Sequence, residues 1–349
     1  MVDYIIVGSG LAGICFAETV LNAGKTILVI DSEGRSSSQV AGGMYNPVVL
    51  KRFTEVWKVR EQLDLARPFF EGLELKLGVK LDHQLPLLRR LMSVEEQNNW
   101  FEASDKPNLS GYLSSQLVKN ENPGVIAPFS FGEVLETGYV DTALLINRYR
   151  AYLAENEWYR CERFDYDALR FTDEEVVYKE IAARHIVFAE GFGMLDNPFF
   201  SGLPLDGTKG ELLVVRIPDL KFEEILKAGV FLIPIGDDLY KVGATYDWND
   251  KTDSITQKGK EELIDGLRSV VNLEFEVVDH IAGVRPTVKD RRPLVGSAVE
   301  SDRIHILNGL GTRGVLLGPF LAQSLYRNIE FDEALDPHIS IARYRSKKA

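Results

Sequence analysis

Val7-Gly8-Ser9-Gly10-Leu11-Ala12-Gly13 is the stretch whose reading decides the fold. Ahead of it, Asp3-Tyr4-Ile5-Ile6-Val7 is a short apolar run suited to a buried parallel strand. Behind it, Leu11, Ile14, Cys15, Val20 and Leu21 recur at helical spacing, and Asn22-Ala23-Gly24-Lys25 closes the helix with a glycine cap. Lys25-Thr26-Ile27-Leu28-Val29-Ile30 then reads as a second buried strand, with Asp31 at its C-terminal end. Each glycine has a task in such a unit: Gly8 makes the tight turn, Gly10 admits a pyrophosphate to the backbone, and Gly13 lets helix approach strand. The helix N-terminus offers free N–H groups and a positive dipole end to phosphates. Asp31 stands where a carboxylate accepts hydrogen bonds from ribose hydroxyls. A turn that merely joined strand to helix would explain neither Gly10 nor Asp31. The unit predicts a dinucleotide site on a Rossmann-like α/β domain.

A second glycine turn lies far downstream. It is Gly309-Leu310-Gly311-Thr312-Arg313-Gly314-Val315, running into Leu316-Leu317-Gly318-Pro319. An ordinary nicotinamide enzyme needs only the first turn; a chain that returns to bring another helix N-terminus to the cofactor suits a flavin. Gly309, Gly311 and Gly314 would allow close backbone approach to the flavin ring, and they precede a helix expected from about Val315 to Arg327. Its N-terminus can stabilise negative charge on the reduced ring. A plain loop-to-helix junction would not need the entropic cost of three glycines in so short a span.

Composition bounds the remainder. At 349 residues the chain exceeds the size at which single cores stop growing, so two domains are expected. No run approaches the ~20 apolar residues of a membrane helix, and the N-terminus enters a strand at once, without a signal-peptide pattern. Cys15 and Cys161 form neither a CxxC nor a framework; both read as small buried hydrophobes, and a reducing cytoplasm is the expected compartment. A formal charge of −12 argues against broad affinity for nucleic acids or anionic membranes. His83, His185, His280, His305 and His338 are scattered without HExxH or other metal spacing, so no metal is expected.

Along the chain the pattern is of interleaved rather than tandem domains. Residues 36–47 are small and glycine-rich, unlike a strand or a regular helix. Helical periodicity runs from about Trp57 to Leu77; Leu85–Leu91 reads as a strand, and Ser93-Val94-Glu95-Glu96 opens another helix. Gly138–Asp141 leads into a helix from about Ala143 to Ala154, followed by β-like segments at 158–164 and 176–180. Ala183–Gly191 is a buried strand ending in a small-residue turn, the return of the nucleotide-binding sheet. Strands without intervening helices between about Gly210 and Asp247 predict an antiparallel sheet.

At Ala282-Gly283-Val284-Arg285-Pro286-Thr287-Val288-Lys289-Asp290-Arg291-Arg292-Pro293-Leu294-Val295-Gly296 the chain resembles the D-amino acid oxidase superfamily. It looks close to glycine oxidase and to the FAD-dependent oxidase domain of the bifunctional tRNA wobble-uridine enzyme, whose methyltransferase domain has no counterpart here. The resemblance rests on the N-terminal fingerprint, the Gly42-Gly43 loop, this G-x-R-P-x-x-x-D-x-x-P-x-x-G segment and the Gly-Thr-Arg-Gly turn before the last helix. It implies FAD as cofactor and an α+β molecule. Residues 1–50, 137–200 and 283–349 would form the FAD-binding domain, and 51–136 and 201–282 a substrate domain on an antiparallel sheet. Cofactor contacts are expected from Gly8, Gly10, Leu11, Ala12, Gly13, Asp31 and Ser32, from Ser38, Gly42, Gly43 and Met44, from Ala189 and Gly191, and from Gly309, Gly311, Thr312, Arg313, Gly314, Val315 and Leu316.

No second GxGxxG-type unit for a nicotinamide is present mid-chain, so the reducing equivalents are expected from the bound substrate. The resemblance implies that Arg285 holds a substrate carboxylate, with the α-carbon hydrogen aimed at flavin N5 for hydride transfer and an imine left for water to hydrolyse. A guanidinium suits that task because its planar fork fixes both distance and orientation. The alternative for Arg285 is a structural ion pair with Asp290 or Asp279. Arg313 and Tyr246 are further catalytic candidates, with a surface turn and a core position as their alternatives. Phe231 falls near a position that holds a carboxylate-binding tyrosine in glycine oxidase, a departure that points away from glycine itself.

Three functions stand against one another: oxidation of the C–N bond of an amino acid or N-substituted glycine, removal of a carboxymethyl group from a wobble uridine, and flavin binding without turnover. A carboxylate clamp speaks against the last. A small-molecule partner is preferred on net charge, with tRNA the alternative if Lys51, Arg52, Arg291 and Arg292 form one patch at the cleft mouth. A homo-oligomer remains open.

Overall fold

The computed structural model describes residues 1–345 except Glu33 and Arg35. The first strand, β1 (Val2–Val7), is buried from Tyr4 onward and lies in parallel between β2 (Ile27–Asp31) and the strand Ile181–Phe188. Helix α1 (Leu11–Asn22) crosses from β1 to β2, burying Ile14, Cys15, Phe16, Ala17 and Val20. Tyr159–Cys161 extends the sheet beyond β2 in parallel, and Ile304–Asn308 extends it beyond Ile181–Phe188 in parallel. Because these strands run the same way, their C-terminal ends share one edge. The turns that follow Val7, Asp31, Phe188 and Asn308 are therefore gathered along that edge, where open α/β sheets bind their ligands.

A second sheet of eight strands takes the order Glu276–Val288, Leu205–Arg216, Leu239–Gly243, Phe231–Pro234, Ile225–Lys227, Leu87–Arg90, Phe131–Val134 and Leu113–Val118. Its pairings are antiparallel except between Ile225–Lys227 and Leu87–Arg90, which run parallel. Its strands come from 87–134 and 205–288, so both sheets are assembled from separated stretches of chain. Residues 283–288 continue the strand that starts at Glu276 and stay paired with Leu205–Gly210, so the chain does not leave this sheet at 283.

Several local elements differ from the sequence expectation. Residues 36–47, expected to be irregular, contain a short helix, α2 (Ser37–Val40). Ser36 accepts from Gln39 N while the Gln39 side chain accepts from Ser36 N, a capping box that makes one turn viable. Helix Gln257–Arg268 had no counterpart in the sequence reading; its Thr256 cap accepts from Gly259 N, and its buried face is sparse, chiefly Leu263 and Leu267. Cys15 is buried as expected, but Cys161 is exposed, because it ends an edge strand. No helix among the described residues is long and apolar enough to cross a membrane.

Candidate active site

A cavity of about 1130 Å³ opens at the shared strand edge and reaches across to the second sheet. That exceeds the roughly 300–1,000 Å³ of a pocket for one drug-sized ligand. Its floor is the first glycine turn. Gly8 has φ +104, and a Cβ there would meet Ala189 O at 2.5 Å. Gly10 is different: a Cβ would be met by Ser38 Oγ at 3.5 Å, so this backbone faces open space. Ser38 Oγ accepts from Leu11 N at 3.2 Å, and Leu11 and Ala12 carry the helix N-terminus to the wall.

Asp31 is fixed by neighbours that the sequence reading missed. Ser9 N and Oγ donate to its Oδ2 at 2.7 and 2.5 Å, and Arg150 Nη2 donates to the same oxygen at 2.9 Å. Arg150 Nε also donates to Ser9 Oγ at 2.6 Å. Three donors meet Oδ2, while Oδ1 accepts no hydrogen bond among the described residues and Asp31 lines the cavity. Arg150 lies on helix Thr142–Glu155, more than a hundred residues away, and only the fold brings it to the turn. Ser32, Ala189 and Gly191 line the same end, with Glu190 between the last two. Burial raises the Glu190 pKa, against the lowering effect of its bonds from Tyr166 and Asn197.

Gly42, Gly43 and Met44 form another wall. Gly43 has φ +70 and a Cβ would sit 1.9 Å from Val140 O, so its glycine is demanded by protein packing. A Cβ at Gly42 would stand 3.0 Å from the Phe231 ring, which places Phe231 at the wall opposite that loop. Gly311, Thr312, Gly314, Val315 and Leu316 bring the N-terminus of helix Gly314–Phe331 to the cavity. Gly311 has φ +57 with nothing within 4 Å of a would-be Cβ, an open backbone.

Two expected cofactor contacts do not reach the wall. A Cβ on Gly13 would be 1.8 Å from Gly8 O, so this residue serves the helix–strand approach and is covered by the turn itself. Gly309 has φ +73 and abuts Val288 and Leu294; it shapes the chain before the cavity rather than facing it.

Arg285, Arg313 and Tyr246 converge at the second-sheet end. The Arg285 guanidinium lies directly over Gly210, where a Cβ would come within 1.8 Å of Nη2. It donates to the carbonyls of Lys209 at 3.2 Å and Thr245 at 3.3 Å, and its Cζ stacks 4.5 Å from the Tyr246 ring centre. Neither alternative ion pair forms: Asp290 binds Arg343 and Tyr344, and Asp279 accepts from His280 N. Arg285 has neutral partners and no carboxylate among the described residues. Arg313 occupies the N-cap position of the last helix without a side-chain capping bond, and it too has no carboxylate partner among the described residues. Burial lowers the pKa of both arginines, with Tyr246 opposing it slightly. Tyr246 is 61% exposed, which removes it from the core. No cluster of three His, Cys, Asp or Glu side chains able to hold a metal occurs among the described residues.

The residues fit a flavin dinucleotide: an open glycine backbone at Gly10 and Gly311, a held carboxylate at Asp31 and two helix N-termini share one cavity of sufficient size. Comparison with known proteins agrees. The model of the family described as DAO, FAD dependent oxidoreductase, matches residues 3–327. Glycine oxidase of Bacillus subtilis (strain 168) is 24% identical over 352 residues, covering 91% of this chain and 90% of that protein. The tRNA 5-methylaminomethyl-2-thiouridine biosynthesis bifunctional protein MnmC of Marinobacter nauticus is 22% identical over 346 residues; the match covers 92% of this chain but only 54% of that protein. The crystal structure of glycine oxidase from Geobacillus kaustophilus superposes with a TM-score of 0.78 at 20% identity, covering 95% of both chains. The chain belongs to the DAO family of FAD-dependent oxidoreductases.

Proposed function

We propose that this enzyme oxidises the C–N bond of an amino acid or an N-substituted glycine, with Arg285 binding the substrate carboxylate. The observation that carries this reading is a half-buried guanidinium on the cavity wall whose hydrogen-bond partners among the described residues are carbonyls alone. Burying a charge without a counter-charge is costly, and a carboxylate ligand removes that cost while gaining a bidentate bond. Arg313 adds a second cation to the same end, and the Tyr246 ring covers one face of the Arg285 fork. Bound FAD supplies the two-electron oxidation that turns the substrate C–N bond into a C=N bond open to hydrolysis. Phe231 presents a ring, not a hydroxyl, beside the Gly42 loop, so this side chain offers no hydrogen bond to a substrate. Held positioning rather than acid–base chemistry is the contribution of these side chains. The contacts of Gly8, Gly10, Leu11, Ala12, Asp31, Ser32 and Ser38 are assigned to the adenosine and pyrophosphate half. Those of Gly42, Gly43, Met44 and 311–316 are assigned to the flavin half.

Removal of a carboxymethyl group from a wobble uridine shares this reaction centre. Of the basic residues that would gather tRNA phosphates, Lys51 lines the cavity, Arg292 stacks 5.5 Å from the Trp57 ring centre, and Arg52 and Arg291 are exposed. The formal charge of −12 supports the small substrate. The test is anaerobic mixing of the purified holoenzyme with amino acids, N-substituted glycines and undermodified tRNA, following flavin absorbance. Bleaching is expected with a carboxylate-bearing amine and not with the same amine lacking the carboxylate. In Arg285→Lys, FAD should remain and the reduction efficiency should fall by on the order of 2–5 kcal/mol in transition-state terms. Bleaching by tRNA alone would overturn the reading.

A further inference from the structure

Another cation on the cavity wall has no part in the reading above. Lys227 ends the strand Ile225–Lys227 and lines the cavity. Its Cα pairs across the sheet with Phe231, and its Nζ stands 5.7 Å from the Phe231 ring centre. On its other side the paired residue is Arg89, a like charge, which donates to Leu50 O and lies 3.9 Å from Glu96. Lys227 has neither an ion-pair nor a hydrogen-bond partner among the described residues. Burial, and then Arg89, lower its pKa. A fold that needed only an apolar stem here has no use for a charge between an arginine and an aromatic ring.

The register locates this charge relative to the carboxylate clamp. Lys227, Phe231, Gly243 and Leu212 form one cross-strand row. Arg285 lies over Gly210, the next residue after Leu212 on the same face. With adjacent strands ~4.8 Å apart and ~3.4 Å per residue along them, a head over Phe231 and a head over Gly210 stand on the order of 10–12 Å apart. Charge-assisted bonds of ~2.8 Å at each end leave room for two carboxylates joined through a few atoms.

We propose that Lys227 is a second anion site and that the substrate is a short dicarboxylic amine, one carboxylate on Arg285 and the other on Lys227, with the reacting nitrogen between them. The proposal rests on the reading of Arg285 as a carboxylate clamp, and the test separates the two. Unreactive acids, glutarate and butyrate, are titrated into the holoenzyme and followed by perturbation of the flavin absorbance, in the native protein and in Lys227→Met and Lys227→Arg. Glutarate is expected to bind at least about tenfold more tightly than butyrate, in line with a hydrogen bond to a charged group. Lys227→Met should bring glutarate down to the butyrate affinity without changing butyrate, and Lys227→Arg should keep the advantage. Equal affinities in the native protein would overturn the Lys227 assignment alone. So would a parallel loss of both acids in Lys227→Met, or an anticodon stem-loop RNA weakened in that variant while glutarate is not. Failure of both acids to bind the native protein would count against Arg285 and remove this proposal with it.

Discussion

Asp31 and Arg285 show opposite uses of a charged side chain. Asp31 is held by Ser9 and Arg150 through one oxygen, and its other oxygen has no hydrogen-bond partner among the described residues. Arg285 is held only by carbonyls and an aromatic face, so its charge is left for a ligand to meet. The difference predicts different phenotypes. Arg150→Ala should weaken FAD roughly tenfold, about 1.4 kcal/mol, by loosening Asp31 without touching the reacting end. Fluorescence titration of the apoprotein with FAD measures it, and an unchanged affinity would show that Ser9 alone suffices to orient Asp31.

At the scale of elements, the site depends on how closely the last helix lies against α1. Gly314 and Gly318 are one turn apart and face Leu11 and Cys15, also one turn apart: Cβ atoms would stand 3.0 Å from Leu11 Cδ2 and 2.7 Å from Cys15 Sγ. Two helix N-termini thereby reach one cavity side by side. Gly318→Leu should force the helices apart, costing about 1–3 kcal/mol as overpacking does, and should also lower FAD retention because the second N-terminus moves with the helix. Thermal unfolding together with the flavin content after gel filtration checks this. Lost stability with full FAD content would mean that the helix end is anchored elsewhere.

For the whole molecule, the central sheet carries a pH dependence of its own. His185 Nδ1 and His305 Nε2 meet at 3.0 Å between adjacent parallel strands, and His305 Nδ1 meets Ser297 Oγ at 3.0 Å. Burial lowers both pKa values, His185 from 6.5 to about 4, with nearby cations adding to the effect. Between those values the unfolded chain takes up protons that the native sheet refuses, so stability falls as pH drops from about 6.5 toward 4. The net charge of −12 shrinks over the same range, so relief of self-repulsion works against this loss. Urea unfolding from pH 8 to 4.5 should show stability level above about 7 and declining below it. The decline should flatten in a His185→Leu, His305→Leu variant; an equal slope there would place the acid sensitivity in other groups.

The sequence by itself determined the nucleotide-binding unit. Gly8, Gly13 and Asp31 act within thirty residues of one another, and glycine is required locally by the φ of +104 at Gly8 and by the Gly8 carbonyl that a Cβ on Gly13 would strike. Helices such as Val59–Leu77 and Val94–Ser104 were legible for the same reason, since periodicity and the Ser93 cap are local signals. Helix Gln257–Arg268 was missed because its apolar face is thin, and α2 because a single turn has no period to read. The resemblance singled out Arg285, yet nothing local distinguished a clamp from an ion pair with Asp290. The pair with Asp290 is absent because Arg343 and Tyr344 take that carboxylate, and Gly210 makes room for the guanidinium from the neighbouring strand. Arg150 on Asp31 and Lys227 beside Phe231 are likewise products of strand register and helix placement. Backbone geometry is written in short stretches of chain, whereas the partner of a charge is chosen by whichever distant residue the fold delivers to it.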